Sequence, residues 1–181
     1  MHKRKITYTI SLFLILVILF VIFFPLKKVI SISNKKKPSQ KVYISKAYDD
    51  GFCISYTHSV NKGRVHDYYE VDKKNDDLIL ISSLFVSYGA GIPELEETEG
   101  ASFKEIENGY LMYDINRHVP QVLMAVGLIA NHTFCVGKPF LQNTSEQEVA
   151  FTDFFAAQTS VIIKCKKVSL FELFLYGLKK G

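Results

Sequence analysis

Residues 6–26 form an uncharged run of 21 positions, apolar except for Thr7, Tyr8, Thr9 and Ser11 near its start. A helix of about 20 apolar residues spans a hydrocarbon core of roughly 30 Å, so the pattern predicts one N-terminal transmembrane helix. The run exceeds the apolar core of a signal peptide, no small-residue cleavage site follows it, and it holds no cysteine to accept a lipid. An uncleaved anchor contacting the bilayer through residues 6–26 is the expectation. Residues 27–40, with Lys, Ser and Pro38, read as a solvated linker.

From residue 41 the periodicity changes. β-branched and aromatic runs alternate with Gly, Asn, Asp and Pro, which predicts strands near 42–48, 51–60, 65–72, 77–88, 102–107, 110–116, 121–127, 132–136 and 160–168. Asn108 and Gly109 are the strongest hairpin signal, since both tolerate the positive φ of a type I′ turn. The βαβ alternation of a nucleotide-binding fold is missing. The expected class is mainly β: an antiparallel β-sandwich or barrel-like domain over 41–168, with the N-terminal helix in 1–26 and a short C-terminal helix in 169–181. Ser169 and Glu172 fit a capping box for that last helix. It is apolar on nearly every side, and two placements stay open: against its own domain, or in the membrane interface or on another membrane protein.

Charge sharpens this organisation. The formal net charge is +4, from 22 basic and 18 acidic residues. Eight of the basic residues (Lys3, Arg4, Lys5, Lys27, Lys28, Lys35, Lys36 and Lys37) lie in the first 40 positions with no acid among them, leaving the rest of the chain at −4. Basic residues flanking an apolar segment suit lipid headgroups; a nucleic-acid partner would need them clustered on the folded domain. Cys53, Cys135 and Cys165 have no CxxC spacing and indicate neither a zinc site nor a full disulfide framework. One disulfide is open, with its partners undetermined. The histidines lack the spacing that converges ligands, so no metal or cofactor is expected.

Candidate chemistry centres on residues 52–60 and 65–71. Phe52, Ile54, Tyr56, His58 and Val60 share one strand face, as do Val65, Asp67, Tyr69 and Val71. A loop of residues 61–64 would pair Val60 with Val65, His58 with Asp67 and Tyr56 with Tyr69. A buried imidazole and carboxylate facing each other satisfy one another. The pair reads either as a polar lock on the register or as an oriented imidazole lining a ligand pocket. Ser59 points to the opposite face, which disfavours a Ser–His catalytic pair. Gly89 and Gly91, after Tyr88, permit a tight strand exit, and an acidic stretch containing Glu94, Glu96, Glu97 and Glu99 follows them.

Residues 56–60 (Tyr-Thr-His-Ser-Val), Asp67 with Tyr68 and Tyr69, 87–93 (Ser-Tyr-Gly-Ala-Gly-Ile-Pro), Arg117, and 131–134 (Asn-His-Thr-Phe) together resemble a bacterial family known as domain of unknown function eighteen-fifty. The resemblance covers roughly residues 50–142. The family usually carries Glu after His-Ser-Val and Glu in the next strand, where this chain has Asn61 and Asp67. The resemblance implies a small accessory protein of a TRAP-type transporter of the TAXI subclass, with the permease or its solute receptor as partner. It also favours an extracytoplasmic domain on a single-pass anchor with a cytoplasmic basic tip. The five lysines after the span would by count alone favour the opposite orientation. The expectation is therefore a non-enzymatic accessory or binding module, with His58, Asp67, Tyr88, Gly89, Gly91 and Arg117 as candidate binding residues and no catalytic ones. A hydrolase using His58 and Asp67, and a purely structural envelope protein, remain as alternatives.

Overall fold

A computed structural model describes residues 2–87, 89, 100–142 and 147–178. The chain divides into two units: Val29–Cys165, and a smaller one made of Met1–Lys28 with Lys166–Gly181.

The larger unit is built of antiparallel strands. A four-stranded sheet has the order β2-β1-β12-β9, from β1 (Lys27–Asn34), β2 (Lys41–Ile44), β9 (Val122–Ala125) and β12 (Ser160–Val168). A larger sheet has the order β11-β10-β3-β4-β5-β7-β6. Its strands are β3 (Phe52–Thr57), β4 (Arg64–Asp72), β5 (Asp77–Phe85), β6 (Ser102–Ile106), β7 (Gly109–Tyr113), β10 (Thr133–Val136) and β11 (Val149–Ala150). β8 (Arg117–Val119) pairs β5 off this path. The two sheets share one core. Ile30, Ile32, Val42, Val161 and Ile163 from the smaller sheet pack with Phe52, Ile54, Tyr69, Leu78 and Phe134 from the larger. Phe52 stacks between Tyr69 and Phe134, at 5.2 Å from each ring, a geometry that adds to the burial energy of aromatics.

The expected mainly antiparallel β class is present, with four local corrections. Lys27–Asn34, expected within a linker, forms β1, and Val29, Ile30, Ser31 and Ile32 are buried. The lysines on either side masked an apolar run just long enough for a central strand. The run near 42–48 is β2 followed by a short helix, α2 (Lys46–Asp50), which buries Ala47 and Tyr48; another short helix, α3 (Pro139–Gln142), follows β10. The β6–β7 hairpin exists, but Ile106 pairs Gly109, so Glu107 and Asn108 make its turn. Gly109 instead lies against β5, where a Cβ would overlap the Phe85 carbonyl. The fourth correction, to the β3–β4 register, is described with the site.

In the smaller unit the backbone of α1 is helical over His2–Phe23, and its side chains are described from Tyr8 onward. A spanning helix is the sequence expectation; among the described residues, no helix is long and apolar enough to cross a membrane. Nearly all the large apolar side chains from Tyr8 to Leu26 are exposed. The C-terminal helix α4 (Leu170–Leu178) forms as expected, with Ser169 Oγ accepting from the Glu172 N–H at 3.0 Å. Lys166 Nζ, 2.8 Å from a Glu172 carboxylate oxygen, takes the Glu side chain that a full capping box would turn back to Ser169. No residue of α4 is buried.

Candidate functional site

His58 and Asp67 do not meet. β3 pairs β4 with Ile54 opposite Asp67, Tyr56 opposite Val65 and Thr57 opposite Arg64. Each face is the expected one, but the strands are displaced by an even step, and residues 58–63 form the loop. His58 closes that loop. Its N–H donates to the Gly63 carbonyl (2.8 Å), its carbonyl accepts from the Lys62 N–H (3.1 Å), and Nδ1 accepts from the N–H groups of Val60 and Asn61 at 3.3 and 3.4 Å. Lys62 takes a left-handed φ of 60°, and Asn61 Oδ1 accepts from the Gly63 N–H at 2.9 Å. This local bonding outweighs the apolar match of Val60 to Val65, and Val60 is left exposed at the loop tip.

Asp67 finds other partners on the core face. Ser83 Oγ donates to its carboxylate at 2.6 Å, and the Tyr56 hydroxyl bonds it as well. Burial pushes the Asp67 carboxyl up from 3.8 to about 6, against the lowering influence of Ser83, Tyr56 and the Arg117 charge. Tyr56 and Tyr69 are raised first by their own burial and then by the Asp67 charge. Arg117 acts on Asp67 through its charge. Arg117 starts β8, opposite Leu80 on β5, and is exposed. Tyr88 and Gly91 lie outside the described residues, as does the acidic stretch 94–99. Gly89 is described; its φ is 150°, and a Cβ there would lie 3.7 Å from that of Asn61 in the His58 loop.

The opposite face of the same strands holds a second polar group that the displaced register hid. Ser55 and His66 are cross-strand partners, with Ser55 Oγ 2.7 Å from His66 Nδ1. The His66 ring stacks on Phe140 with 3.9 Å between centroids. Burial, ahead of the opposing charges of Glu148 and Arg64, drives the His66 pKa down to about 4. A serine bonded to a neutral imidazole has the form of a nucleophile and its base, but Ser55 is 1% exposed and His66 5%, and the pair closes on itself in the core. Cys53 stands opposite Cys135, both are buried and neither is in a disulfide; burial pushes the Cys53 thiol up to about 12, which keeps it unreactive.

Arg64, which the sequence pattern did not single out, ties the site together. Its guanidinium donates to the carbonyls of Ala130 (3.4 Å) and Asn131 (2.7 Å) and to Thr133 Oγ1 (2.8 Å), and it lies 3.9 Å from Glu148. Its own carbonyl accepts from the Val86 N–H at 2.9 Å. The planar fork of arginine suits such a multi-point role. Thr57 N–H bonds the Ala130 carbonyl at 2.7 Å, and a Cβ on Gly63 would come within 2.9 Å of Ser87. Residues 58–63, 86–87 and 127–132 thus converge at one end of the larger sheet, presenting exposed Val60, Val86, Leu128 and Ile129. His132 bridges the cluster inward: its Nδ1 accepts from the Gly127 N–H (3.1 Å), and burial followed by the Arg64 charge lowers its pKa.

These converging loops belong to the stretch that carries the family likeness. Residues 52–140 match the family described as Domain of unknown function (DUF1850). This chain resembles the DUF1850 family. No curated protein and no solved structure matches it. Within the DUF1850 stretch, the loop cluster exposes apolar side chains, while the Ser55–His66 pair is buried and Asp67 is partly so. Among the described residues no group of His, Cys, Asp and Glu is placed to hold a metal ion.

Proposed function

We propose that this protein is a membrane-anchored, extracytoplasmic, non-enzymatic accessory module that contacts a TRAP-type (TAXI) solute uptake system through its loop cluster. The observation that carries the reading is the convergence on Arg64 of segments 58–63, 86–87 and 127–132, which are distant in sequence. A purely structural domain has no need to gather exposed Val60, Leu128 and Ile129 on segments pinned this firmly. The anchor is supported by the uncharged run at 6–26 and by the exposed apolar side chains of α1, for which an acyl environment is the natural cover. The TRAP partner rests on the family likeness alone.

A photo-crosslinking amino acid at Leu128, with a second at exposed Lys104 on β6 as control, tests the contact in intact cells. The proposal expects a discrete adduct containing the permease or its solute receptor from position 128 and none from position 104. Equal labelling from both positions, or none from either, refutes it.

A further inference from the structure

The helical unit contains more than one apolar segment. In α4, Leu170, Phe171, Phe174, Leu175 and Leu178 are all exposed, between 40% and 65% of their surface. Glu172 is its one described charge, and Lys166 neutralises it. Nine residues rise about 14 Å, far short of a bilayer core of roughly 30 Å, so α4 cannot span. It is not isolated. The Phe171 ring lies 4.9 Å from that of Phe23 in the last turn of α1, where Phe20 and Phe24 also stack at 4.5 Å. Lysines mark both chain entries to this pair: Lys27 and Lys28 directly after the uncharged run, Lys166 and Lys167 just before α4.

We infer that α4 lies in the interfacial layer of the bilayer beside the C-terminal end of α1, as a second lipid contact. Its apolar side chains meet the upper acyl chains, and Lys27, Lys28, Lys166 and Lys167 sit at the level of anionic headgroups. Two arguments choose lipid over a protein partner as the occupant. The apolar surface is continuous with that of α1, and the cationic side chains stand where an anionic interface requires them. The inference rests on the reading of α1 as the anchor.

The chain has no tryptophan, so one introduced residue reports its own surroundings. Full-length F174W, and separately F13W in α1, are reconstituted into vesicles of phosphatidylcholine and phosphatidylglycerol containing brominated lipids. The expected result is blue-shifted emission from F174W, quenched to about half by lipid brominated near the headgroup and less by lipid brominated deep in the chain. F13W should show the reverse depth preference. Emission from F174W that is red, or quenched by iodide, while F13W is quenched by lipid overturns the inference and leaves the anchor standing. Blue-shifted F174W that lipid does not quench places α4 against protein and overturns it too. If F13W also escapes the lipid quencher, the anchor reading itself fails.

Discussion

Asp67→Asn should stabilise the protein at neutral and alkaline pH and slightly destabilise it in acid. The Asp67 carboxyl is raised from 3.8 to about 6, with burial as the main cause, so folding favours its protonated form. A group raised in this way contributes stability that is fully present below pH 3.8 and lost as pH rises through about 6. Two pH units correspond to about 3 kcal/mol of cost for holding the ionised carboxylate in place. Asparagine keeps the shape and removes the charge, but the amide cannot accept fully from both Ser83 and Tyr56. One weakened hydrogen bond returns about 1 kcal/mol. The expected gain at pH 8 is therefore about 1–2 kcal/mol, or about 3–6 °C in Tm for a chain of this size. At pH 4, where the wild-type carboxyl is itself neutral, only the weakened hydrogen bond remains, and the variant should be about 1 kcal/mol less stable than wild type. Thermal unfolding of the full chain in detergent, followed by near-ultraviolet circular dichroism of its tyrosines, reads this directly. An Asn variant destabilised equally at pH 8 and pH 4 would show that Ser83, Tyr56 and Arg117 fully compensate the carboxylate, refuting the reasoning. Retention of a costly ion would then need no functional explanation.

Three further outcomes follow from named contacts. Arg64→Ala strands the Ala130 and Asn131 carbonyls and Thr133 Oγ1 and should cost about 2–3 kcal/mol; Arg64→Lys, lacking the fork, should recover less than half in the same melting assay. His66 is lowered to about 4 from 6.5, so its neutral burial gives stability that is full above pH 6.5 and lost as pH falls towards 4. His66→Gln should therefore lower the pH at which acid unfolding occurs, measured by pH titration of the circular dichroism signal. Gly109→Ala forces a side chain into the Phe85 carbonyl at a φ of 134°, whereas Gly137 has φ 75° and open space. Denaturant unfolding should show Gly109→Ala costing at least about 2 kcal/mol more than Gly137→Ala.

The strand pattern was largely legible because alternation is a local property: β3 to β7, β9, β10 and β12 fall where apolar and polar positions alternate between turn residues. Alternation also gave the correct faces for Ile54, Tyr56, Asp67 and Tyr69. It could not give the register, because a pattern of period two is unchanged by an even displacement. The loop decides that, and residues 58–63 close through backbone bonds at His58 and the positive φ of Lys62, which composition does not announce. One error then carried two others with it: His58 lost its supposed partner, and the Ser55–His66 pair stayed invisible until their strands were aligned. Arg64 escaped notice for a different reason. Its partners are main-chain carbonyls in a loop 66 and 67 residues away, and carbonyls leave no mark on a sequence. β1 was missed because four apolar or small positions flanked by lysines look like a linker until β2 and β12 bury them on either side.

The central claim, a tethered accessory module acting through its loop cluster, is tested most directly by affinity purification of the full-length protein from gently solubilised membranes. Wild type should be run beside a variant carrying charges at the exposed tips, Val60→Asp with Ile129→Asp. Mass spectrometry should recover a TRAP permease or its solute receptor with the wild type, and the yield should fall at least about ten-fold with the doubly charged variant. Recovery of neither partner, in a preparation that retains other membrane complexes, or equal recovery with both proteins, would contradict the account.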